Sequence, residues 1–230
     1  MQLSKRLLAV SDLVSCTGCL ADVGTDHGYI PIYLTETGRI TRAVAMDINR
    51  GPLERAREHI RQKGLEDRIE TRLSDGVMAL RPGEAQTVVI AGMGGGLICS
   101  ILREGRKILS HTQECILQPQ SEIEQVRRFL QEEGYSILQE DMVYEDGKYY
   151  PMMRVVHGSM ELSDVIEFRY GPRLLEKKHP CLASYLDQEE GKWQGVLGKL
   201  EEQHTERAAQ RIGEVADQLA QIRRAKERMR

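Results

Sequence analysis

The amino-acid sequence predicts an α/β fold, in which helices cover both faces of a mostly parallel sheet, followed by a C-terminal helical arm. Two observations support this prediction. Short, continuously apolar stretches alternate with amphipathic ones through the first two thirds of the chain, as is typical of buried parallel strands joined by helices. Beyond about Gly158 the strand-like stretches end, and apolar residues recur instead at spacings of three and four.

The predicted elements follow one another in a regular order. Five strands are expected at residues 20–23, 43–47, 69–73, 87–91 and 115–118. Helices are expected at residues 30–37, 52–64 and 121–133, with Pro52 and Gly64 marking the start and the end of the second one. Two further strands, 137–144 and 149–157, flank Asp146-Gly147, a pair typical of tight hairpin turns, and predict an antiparallel closure of the sheet.

The change in composition predicts two domains, one over residues 1–158 and a helical one over residues 159–230. In the second domain, the apolar spacing favours two antiparallel helices that pack as a coiled-coil-like arm, with residues 162–170 forming an earlier helix. The end of the arm is basic and includes Arg223 and Arg224. We expect the arm either to clamp a nucleic acid or simply to cap the core.

The composition excludes several classes of protein. The 230 residues carry a net charge of −3 and a mean hydropathy of −0.43, so nucleic-acid binding would have to come from local patches. No apolar run approaches the roughly 20 residues that span a bilayer. The five cysteines and the lack of a recognisable signal peptide predict a cytoplasmic protein without a disulfide framework. Cys16 and Cys19 have metal-binding spacing, but no second pair follows, and no metal site is expected.

The motif that carries the chemistry spans residues 22–29, Asp-Val-Gly-Thr-Asp-His-Gly-Tyr, between the first strand and its helix. Gly24 and Gly28 allow a ligand to approach the backbone closely. The motif differs from the glycine fingerprint of dinucleotide-binding proteins, and the Asp22 carboxylate would repel a pyrophosphate. It suits the ammonium and sulfonium groups of S-adenosylmethionine instead, and this makes a nicotinamide-dependent dehydrogenase improbable.

Two more acids follow at the ends of the next strands. Asp47 is placed to accept hydrogen bonds from ribose hydroxyls, and Asp75 is placed to accept one from an adenine amino group. Each alone could be a helix cap, but together they predict a bound nucleoside cofactor. The predicted cofactor-binding residues are Asp22, Gly24, Thr25, Gly28, Asp47, Ile48, Asp75, Gly76, Gly92, Met93 and Gly94.

A run of glycines, residues 92–96, follows the fourth strand and predicts a loop that lies against a flat ring or exposes N–H groups. A tight strand-to-helix turn is the alternative. The run lacks the Asn/Asp-Pro-Pro-aromatic signature of enzymes that methylate exocyclic amines. It also lacks a cysteine for attack on a pyrimidine ring, since Cys99 lies in the next predicted helix.

Residues 22–29, together with Ala-Gly-Met-Gly-Gly at 91–95 and Gln-Pro-Gln at 118–120, resemble the bacterial TrmK-type enzymes, the tRNA (adenine-22-N1)-methyltransferases. The resemblance extends over essentially the whole chain, including Asp-Gly-Lys-Tyr-Tyr at 146–150 and the helical arm. It implies a class I Rossmann-like methyltransferase core, S-adenosylmethionine as the methyl donor, and tRNA as the substrate, methylated at N1 of adenosine 22.

This chemistry fits the residues beside the cofactor motif. Adenine N1 carries an in-plane lone pair and attacks the methyl group without prior deprotonation, so catalysis is mainly positioning and desolvation. Asp26, His27 and Tyr29 are the predicted catalytic residues, with His27 as the acid/base candidate and Tyr29 as a stacking partner. A hydrogen bond that only orients the loop is the alternative role for His27.

RNA contacts are expected from a small set of residues, and the target adenosine must be flipped out of its helix. The predicted substrate-binding residues are Gly95, Lys148, Tyr149, Arg223 and Arg224. Further basic candidates are Lys5, Arg6, Arg50, Arg55, Arg57, Arg127 and Arg128. We expect a monomer, although the apolar stripe of the arm would also suit a dimer seam.

Two other functions remain open from the sequence. The first is a methyltransferase with the same core that acts on another RNA, a small molecule or a protein. The second is an RNA adaptor that binds the cofactor without catalysing a reaction, but such a protein would have no need for Asp26 and His27 beside the cofactor.

Overall fold

The computed structural model describes residues 2–203 and 205–230. The chain divides into two compact units, Met1–Glu161 and Leu162–Arg230. Within the described residues, we find no helix with the length and apolar character needed to cross a membrane.

The first unit is an α/β sandwich around one seven-stranded sheet. Its strands are β1 (Cys19–Val23), β2 (Arg42–Asp47), β3 (Ile69–Leu73), β4 (Thr87–Met93), β5 (Glu114–Pro119), β6 (Tyr135–Glu145) and β7 (Lys148–His157). Its helices are α1 (Lys5–Asp12), α2 (Tyr29–Glu36), α3 (Arg50–Gln62), α4 (Gly95–Glu104), α5 (Arg106–Leu109) and α6 (Ile123–Glu132). The strand order is β3-β2-β1-β4-β5-β7-β6, and β7 runs antiparallel to both of its neighbours. The predicted mostly parallel Rossmann-like sheet with an antiparallel closing strand is therefore confirmed.

Both faces of the sheet are buried along β1, β2, β4 and β5, which explains why these strands are apolar without alternation. Val88 and Ile90 of β4 pack into one hydrophobic cluster, whereas Val89, between them, packs into a second cluster on the opposite face. Successive side chains of a strand point to opposite faces, so continuous burial requires a layer of helices on each side. This arrangement leaves the strand ends as the place where polar groups can face a ligand.

The glycine run and the start of α3 differ from the prediction. The glycine run 92–96 is not a loop, because β4 continues to Met93 and α4 begins at Gly95, so that Gly94 alone connects them. A bulge between Ala91 and Met93 bends the end of β4. Helix α3 begins at Arg50 rather than at Pro52, because proline is tolerated in the first turn of a helix, where its missing N–H would have no helical partner.

The hairpin between β6 and β7 turns at Asp146-Gly147, as predicted. Asp146 has φ 49° and Gly147 has φ 79°. Two consecutive residues with positive φ form the type I′ turn, whose twist matches that of the flanking strands.

The second unit is helical throughout its elements, which are α7 (Val165–Tyr170), α8 (Pro172–Glu176), α9 (Pro180–Glu201) and α10 (Glu206–Arg228). Helix α7 starts later than predicted because Asp164 forms a capping box with Glu167. Helices α9 and α10 form an antiparallel pair, which we call the arm. Its seam buries Leu186 of α9 and Val215, Leu219 and Ile222 of α10.

Candidate active site

A carboxylate lies buried at the carboxyl end of β1, in the middle of the sheet. Asp22 is 4% exposed, and its Oδ2 accepts a hydrogen bond of 2.6 Å from the hydroxyl group of Thr25. Burial raises the pKa of Asp22 to about 6; the hydrogen bond from Thr25 acts in the opposite direction, and the negative charge of Asp47 raises the pKa further. A cationic ligand would stabilise the charged form of Asp22, so this position favours a positively charged group.

Asp22 lies in a cavity of about 290 Å³ at the carboxyl edge of the sheet, where ligands bind in open α/β folds. Part of the lining consists of predicted site residues: Asp22, Gly24, Thr25, Asp26, His27, Tyr29 and Gly92. The other lining residues are Arg6, Leu7, Ile30, Ala91 and Gln120. The structure thus brings the predicted motif and the end of β4 together around one space.

Two glycines keep this cavity open. Gly24 has φ +74°, and a Cβ added there would lie 2.3 Å from the Cε atom of Met93. Gly92 has φ +80°, a conformation that L side chains rarely adopt. A buried carboxylate beside glycine backbone without side chains fits S-adenosylmethionine. The carboxylate can pair with the ammonium group of this ligand, and the glycines leave space for the rest of it.

The remaining predicted cofactor residues lie at the same edge of the sheet but do not line this cavity. Asp47 is the last residue of β2 and Ile48 follows it, and the Asp47 carboxylate accepts a hydrogen bond of 2.8 Å from the backbone N–H of Asn49. Asp75 and Gly76 follow β3, with Asp75 exposed. Met93 ends β4, Gly94 connects β4 to α4, and Gly28 is buried against α3.

The three predicted catalytic residues form one cluster at the mouth of the cavity. Asp26 is exposed and has φ 43°, in the left-handed region. Its Oδ2 lies 3.5 Å from Nε2 of His27, and its Oδ1 forms an ion pair with Arg55. The rings of His27 and Tyr29 stack with centroids 5.1 Å apart. The other ring nitrogen of His27, Nδ1, is buried and has no hydrogen-bond partner among the described residues.

The sequence analysis did not predict the role of two polar residues beside the cavity, Arg6 and Gln118. Nη1 of Arg6 donates a hydrogen bond of 3.0 Å to Oε1 of Gln118, and the backbone N–H of Gly92 donates one of 3.1 Å to the same oxygen. Gln118 is fully buried, and it ties α1 to the end of β4. Gln118 belongs to the Gln-Pro-Gln motif at 118–120, which indicated that this position matters. The local sequence around Arg6, in contrast, does not predict that its side chain reaches the cavity.

Three of the predicted RNA-binding residues, Gly95, Lys148 and Tyr149, lie in different surroundings within the first unit. Gly95 is buried, and a Cβ added there would lie 2.6 Å from the backbone oxygen of Ser121, so close packing accounts for this glycine. Lys148 is exposed at the hairpin turn, and the ring of Tyr149 lies 4.6 Å from that of Tyr144.

Arginines of the second unit are engaged in ion pairs. Arg223 contacts Glu190 at 3.1 Å, and Arg224 contacts Asp164 at 2.8 Å. Both arginine side chains are more than half exposed, so they remain accessible to a phosphate that competes with these acids.

The suggestion that Arg127 contacts RNA was wrong. Its side chain is 1% exposed, and its Nε donates a hydrogen bond of 2.8 Å to Glu140, which is also buried. A buried arginine is retained only when it is paired in this way, and it cannot reach a phosphate at the surface.

Over the described ranges, no three His, Cys, Asp or Glu side chains come close enough to hold a metal ion. Cys16, Cys19, Cys99, Cys115 and Cys181 are free thiols. Cys19 begins β1 and is buried, whereas Cys16 lies in the preceding loop.

Residues 20–224 match the family model described as TrmK, tRNA (adenine(22)-N(1))-methyltransferase. The chain belongs to the TrmK family. The resemblance predicted from the 22–29 motif is thereby confirmed. The match begins in β1 and ends in α10, so this TrmK-family chain shares with its relatives both the sheet that forms the cavity and the helical unit.

Individual relatives agree with this assignment. The Bacillus subtilis (strain 168) protein named tRNA (adenine(22)-N(1))-methyltransferase is 32% identical over 225 residues, 95% of this chain and 94% of the relative. The crystal structure of Streptococcus pneumoniae Sp1610 is 34% identical, with a TM-score of 0.90 over 97% of this chain and 99% of that one. A second structure of Sp1610, in complex with S-adenosyl-L-methionine, is 35% identical, with a TM-score of 0.84 over 97% of this chain and 99% of that one.

Proposed function

We propose that this protein transfers a methyl group from S-adenosylmethionine to N1 of adenosine 22 in tRNA. The observation that carries the proposal is the family match over residues 20–224, which includes the whole cofactor motif. The buried Asp22 in its cavity supports the donor, because the residues there fit a cation better than they fit a phosphate. The Sp1610 complex with S-adenosyl-L-methionine supports it independently.

We assign the donor to the predicted set of residues at the carboxyl edge of the sheet. Asp22 would hold the ammonium group, directly or through water, while Gly24 and Gly92 leave space for the methionine part. Asp47 would accept hydrogen bonds from the ribose, and Asp75 one from the adenine amino group. When bound, S-adenosylmethionine supplies an electrophilic methyl group on a positively charged sulfur.

The acceptor requires little chemical activation. A bond forms between adenine N1 and the methyl carbon as the bond between that carbon and sulfur breaks, and S-adenosylhomocysteine leaves. The methylated adenine carries a positive charge, which the neighbouring Asp26 carboxylate would stabilise. His27 would accept a proton from the adenine amino group, and Tyr29 would stack on the base.

We further propose how the protein meets its substrate. Lys148 and Tyr149 at the hairpin turn and Arg223 and Arg224 in α10 are the candidate RNA contacts. A monomer in the cytoplasm is the simplest arrangement, because one chain contains both the cofactor cavity and these contacts. No observation favours a small-molecule or protein substrate, or a cofactor-binding adaptor, over this proposal.

A methyl-transfer assay tests the proposed function directly. The purified protein is mixed with S-adenosylmethionine labelled in its methyl group and with two unmodified tRNA transcripts, one with adenosine and one with guanosine at position 22. We expect labelled 1-methyladenosine from the first transcript and none from the second. Label in both transcripts would contradict the position, and label in neither, with the cofactor bound tightly, would contradict the substrate.

A further inference from the structure

Helix α3 carries two side chains that reach the Asp26–Tyr29 turn. Arg55 and His59 lie four residues apart, so they project from one face of the helix. Ala56 lies between them, and a Cβ added to Gly28 would stand 3.4 Å from the Cβ of Ala56, which is ordinary van der Waals contact. The helix therefore packs directly against the turn that presents Asp26, His27 and Tyr29.

His59 binds this turn through both its nitrogen and its ring. Its Nδ1 lies 3.0 Å from the carbonyl oxygen of His27. Because a carbonyl oxygen can only accept, Nδ1 must carry the proton, which leaves Nε2 unprotonated in the neutral ring. The His59 ring also stacks with His27 at 5.4 Å and 20° between planes, and with Tyr29 at 5.5 Å and 12°.

Arg55 binds the same turn one helical turn earlier. It forms an ion pair with Oδ1 of Asp26, which leaves Oδ2 facing Nε2 of His27 at 3.5 Å. Asp26 has a φ of 43°, in the left-handed region, which aspartate adopts more readily than most residues with a side chain. Arg55 is one of the contacts that hold it.

We propose that Arg55 and His59 are positioning residues, which hold Asp26, His27 and Tyr29 in the arrangement that faces the methyl donor. The proposal rests on the proposed function, since it takes methyl transfer as the reaction for which these groups are aligned. Neither Arg55 nor His59 lines the cofactor cavity, so both would act through the turn rather than on the substrate. Transfer rates depend steeply on alignment, and a displaced turn should therefore lower kcat more than it changes cofactor binding.

The test separates the two contacts that His59 makes. His59→Ala removes both; His59→Asn keeps a side-chain amide near the position of Nδ1, and His59→Phe keeps a ring for stacking. We expect His59→Ala to lower kcat about tenfold, the rate equivalent of one hydrogen bond, and the affinity for S-adenosylmethionine to stay within about twofold. We expect each conservative variant to restore part of kcat. His111→Ala is the matched control, because His111 is exposed just before β5, at the opposite edge of the sheet.

Side-chain NMR of the unliganded protein gives a readout that does not depend on methyl transfer. We expect the nitrogen shifts of His59 to report a protonated Nδ1, and His59→Ala to shift the ring signals of His27 and Tyr29. If the wild-type protein methylates no tRNA, the proposed function fails, yet these shifts still report whether His59 holds the turn. Unchanged ring signals, or a kcat equal to that of the wild type, would overturn the role of His59.

A separate experiment must distinguish a positioning role of Arg55 from RNA binding, because an exposed arginine near the cavity could also contact a phosphate. We expect Arg55→Ala to lower kcat severalfold with little change in KM for tRNA, and the double variant with His59→Ala to lose less than the product of the two single effects, because both residues hold one turn. A raised KM for tRNA with an unchanged kcat would assign Arg55 to RNA binding and overturn its positioning role.

Discussion

At the scale of one residue, Asp22 shows that a group suited to cofactor binding can lower the stability of the folded protein. The carboxylate is almost fully buried, and in the unliganded protein the Thr25 hydroxyl donates a hydrogen bond of 2.6 Å to it. Its pKa, raised from 3.8 to about 6, records this unfavourable environment. A bound cation would reverse the cost, so the residue is suited to binding rather than to stability.

The first prediction concerns the pH dependence of cofactor binding. As the pH falls through about 6, Asp22 gains a proton in the unliganded protein and loses its attraction for a cation. We therefore expect the Kd for S-adenosylmethionine to be lowest near about pH 7, where the ligand still carries its ammonium charge, and to rise by up to about tenfold per pH unit below about 6. Calorimetric titrations from pH 5 to 8 measure this. A Kd that does not change over that range would rule out Asp22 as the titrating ligand.

The second prediction is that Asp22→Asn stabilises the unliganded protein while it weakens cofactor binding. A carboxyl group whose pKa is higher in the folded state destabilises that state above its folded pKa, and the cost vanishes below its unfolded pKa. The amide avoids this cost but leaves N–H groups to be satisfied, so we expect a net gain on the order of 1 kcal/mol at pH 7, a few degrees in Tm, and none near pH 4.

The loss of the charge should raise the Kd for S-adenosylmethionine at least about tenfold. Asp67→Asn serves as the control, since Asp67 is exposed just before β3, at the opposite edge of the sheet. A lower Tm for the unliganded Asp22→Asn protein at pH 7 would argue against the buried-charge explanation.

Sequence reasoning found the acids of this site but not all of its cations. Asp22 and Asp47 lie at the carboxyl ends of β1 and β2, and Asp75 follows β3. Parallel strands necessarily bring their carboxyl ends to one edge, so the local pattern sufficed to place the three acids together. Arg6 comes to the cavity through a contact with Gln118, 112 residues away along the chain. An amphipathic pattern shows that a helix packs, but not on which part of the sheet, so such a contact has no local signal.

At the scale of elements, the strand ends and helix starts around the cavity were the hardest to predict. A run of four glycines within residues 92–96 looks like a loop, because glycine destabilises both strands and helices. In the structure the run is shared between β4 and α4, and two of its glycines are required for different reasons. Gly92 needs its positive φ, whereas Gly95 needs to be small.

The third prediction compares two neighbouring glycines at the start of α4. A Cβ on Gly95 would meet the backbone oxygen of Ser121 at 2.6 Å, which cannot yield, whereas a Cβ on Gly96 would meet the flexible end of Glu122 at 3.3 Å. We expect Gly95→Ala to lower the free energy of unfolding by about 1–3 kcal/mol, and Gly96→Ala to change it by less than about 1 kcal/mol. Urea denaturation measures both. Equal effects of the two substitutions would show that packing at Gly95 is not limiting.

At the scale of the whole molecule, the cofactor cavity and the basic end of α10 belong to different units. The cavity and its acids belong entirely to residues 1–161, whereas Arg223 and Arg224 belong to the helical unit. The sequence predicted the helical character of this second unit well, because apolar spacing along α10 is regular. It did not predict that acids would balance the basic end of α10, because these partners lie on other elements: Glu190 on α9 and Asp164 just before α7.

The fourth prediction decides whether the helical unit binds RNA or only caps the core. Exposed ion pairs contribute little to stability, so replacing both Arg223 and Arg224 by alanine should leave Tm nearly unchanged. If the two arginines contact phosphates, the double variant raises KM for tRNA severalfold and lowers the slope of log KM against log salt by about two, with an unchanged Kd for S-adenosylmethionine. Replacing Arg81 and Arg106, two cations of the first unit that precede β4 and β5, is the control.

A variant that should change the KM for tRNA in the opposite direction completes this test. Glu190 accepts contacts from both Arg223 and Lys226, and these cations lower its pKa. Glu190→Gln frees them from a competing anion, so RNA binding by this end of α10 predicts a lower KM for tRNA, most clearly at low salt. If KM and the salt slope are unchanged in both variants, the arginines serve only the packing of the helical unit, and RNA recognition must reside in the first unit, where Lys148 and Tyr149 at the hairpin turn are then the leading candidates.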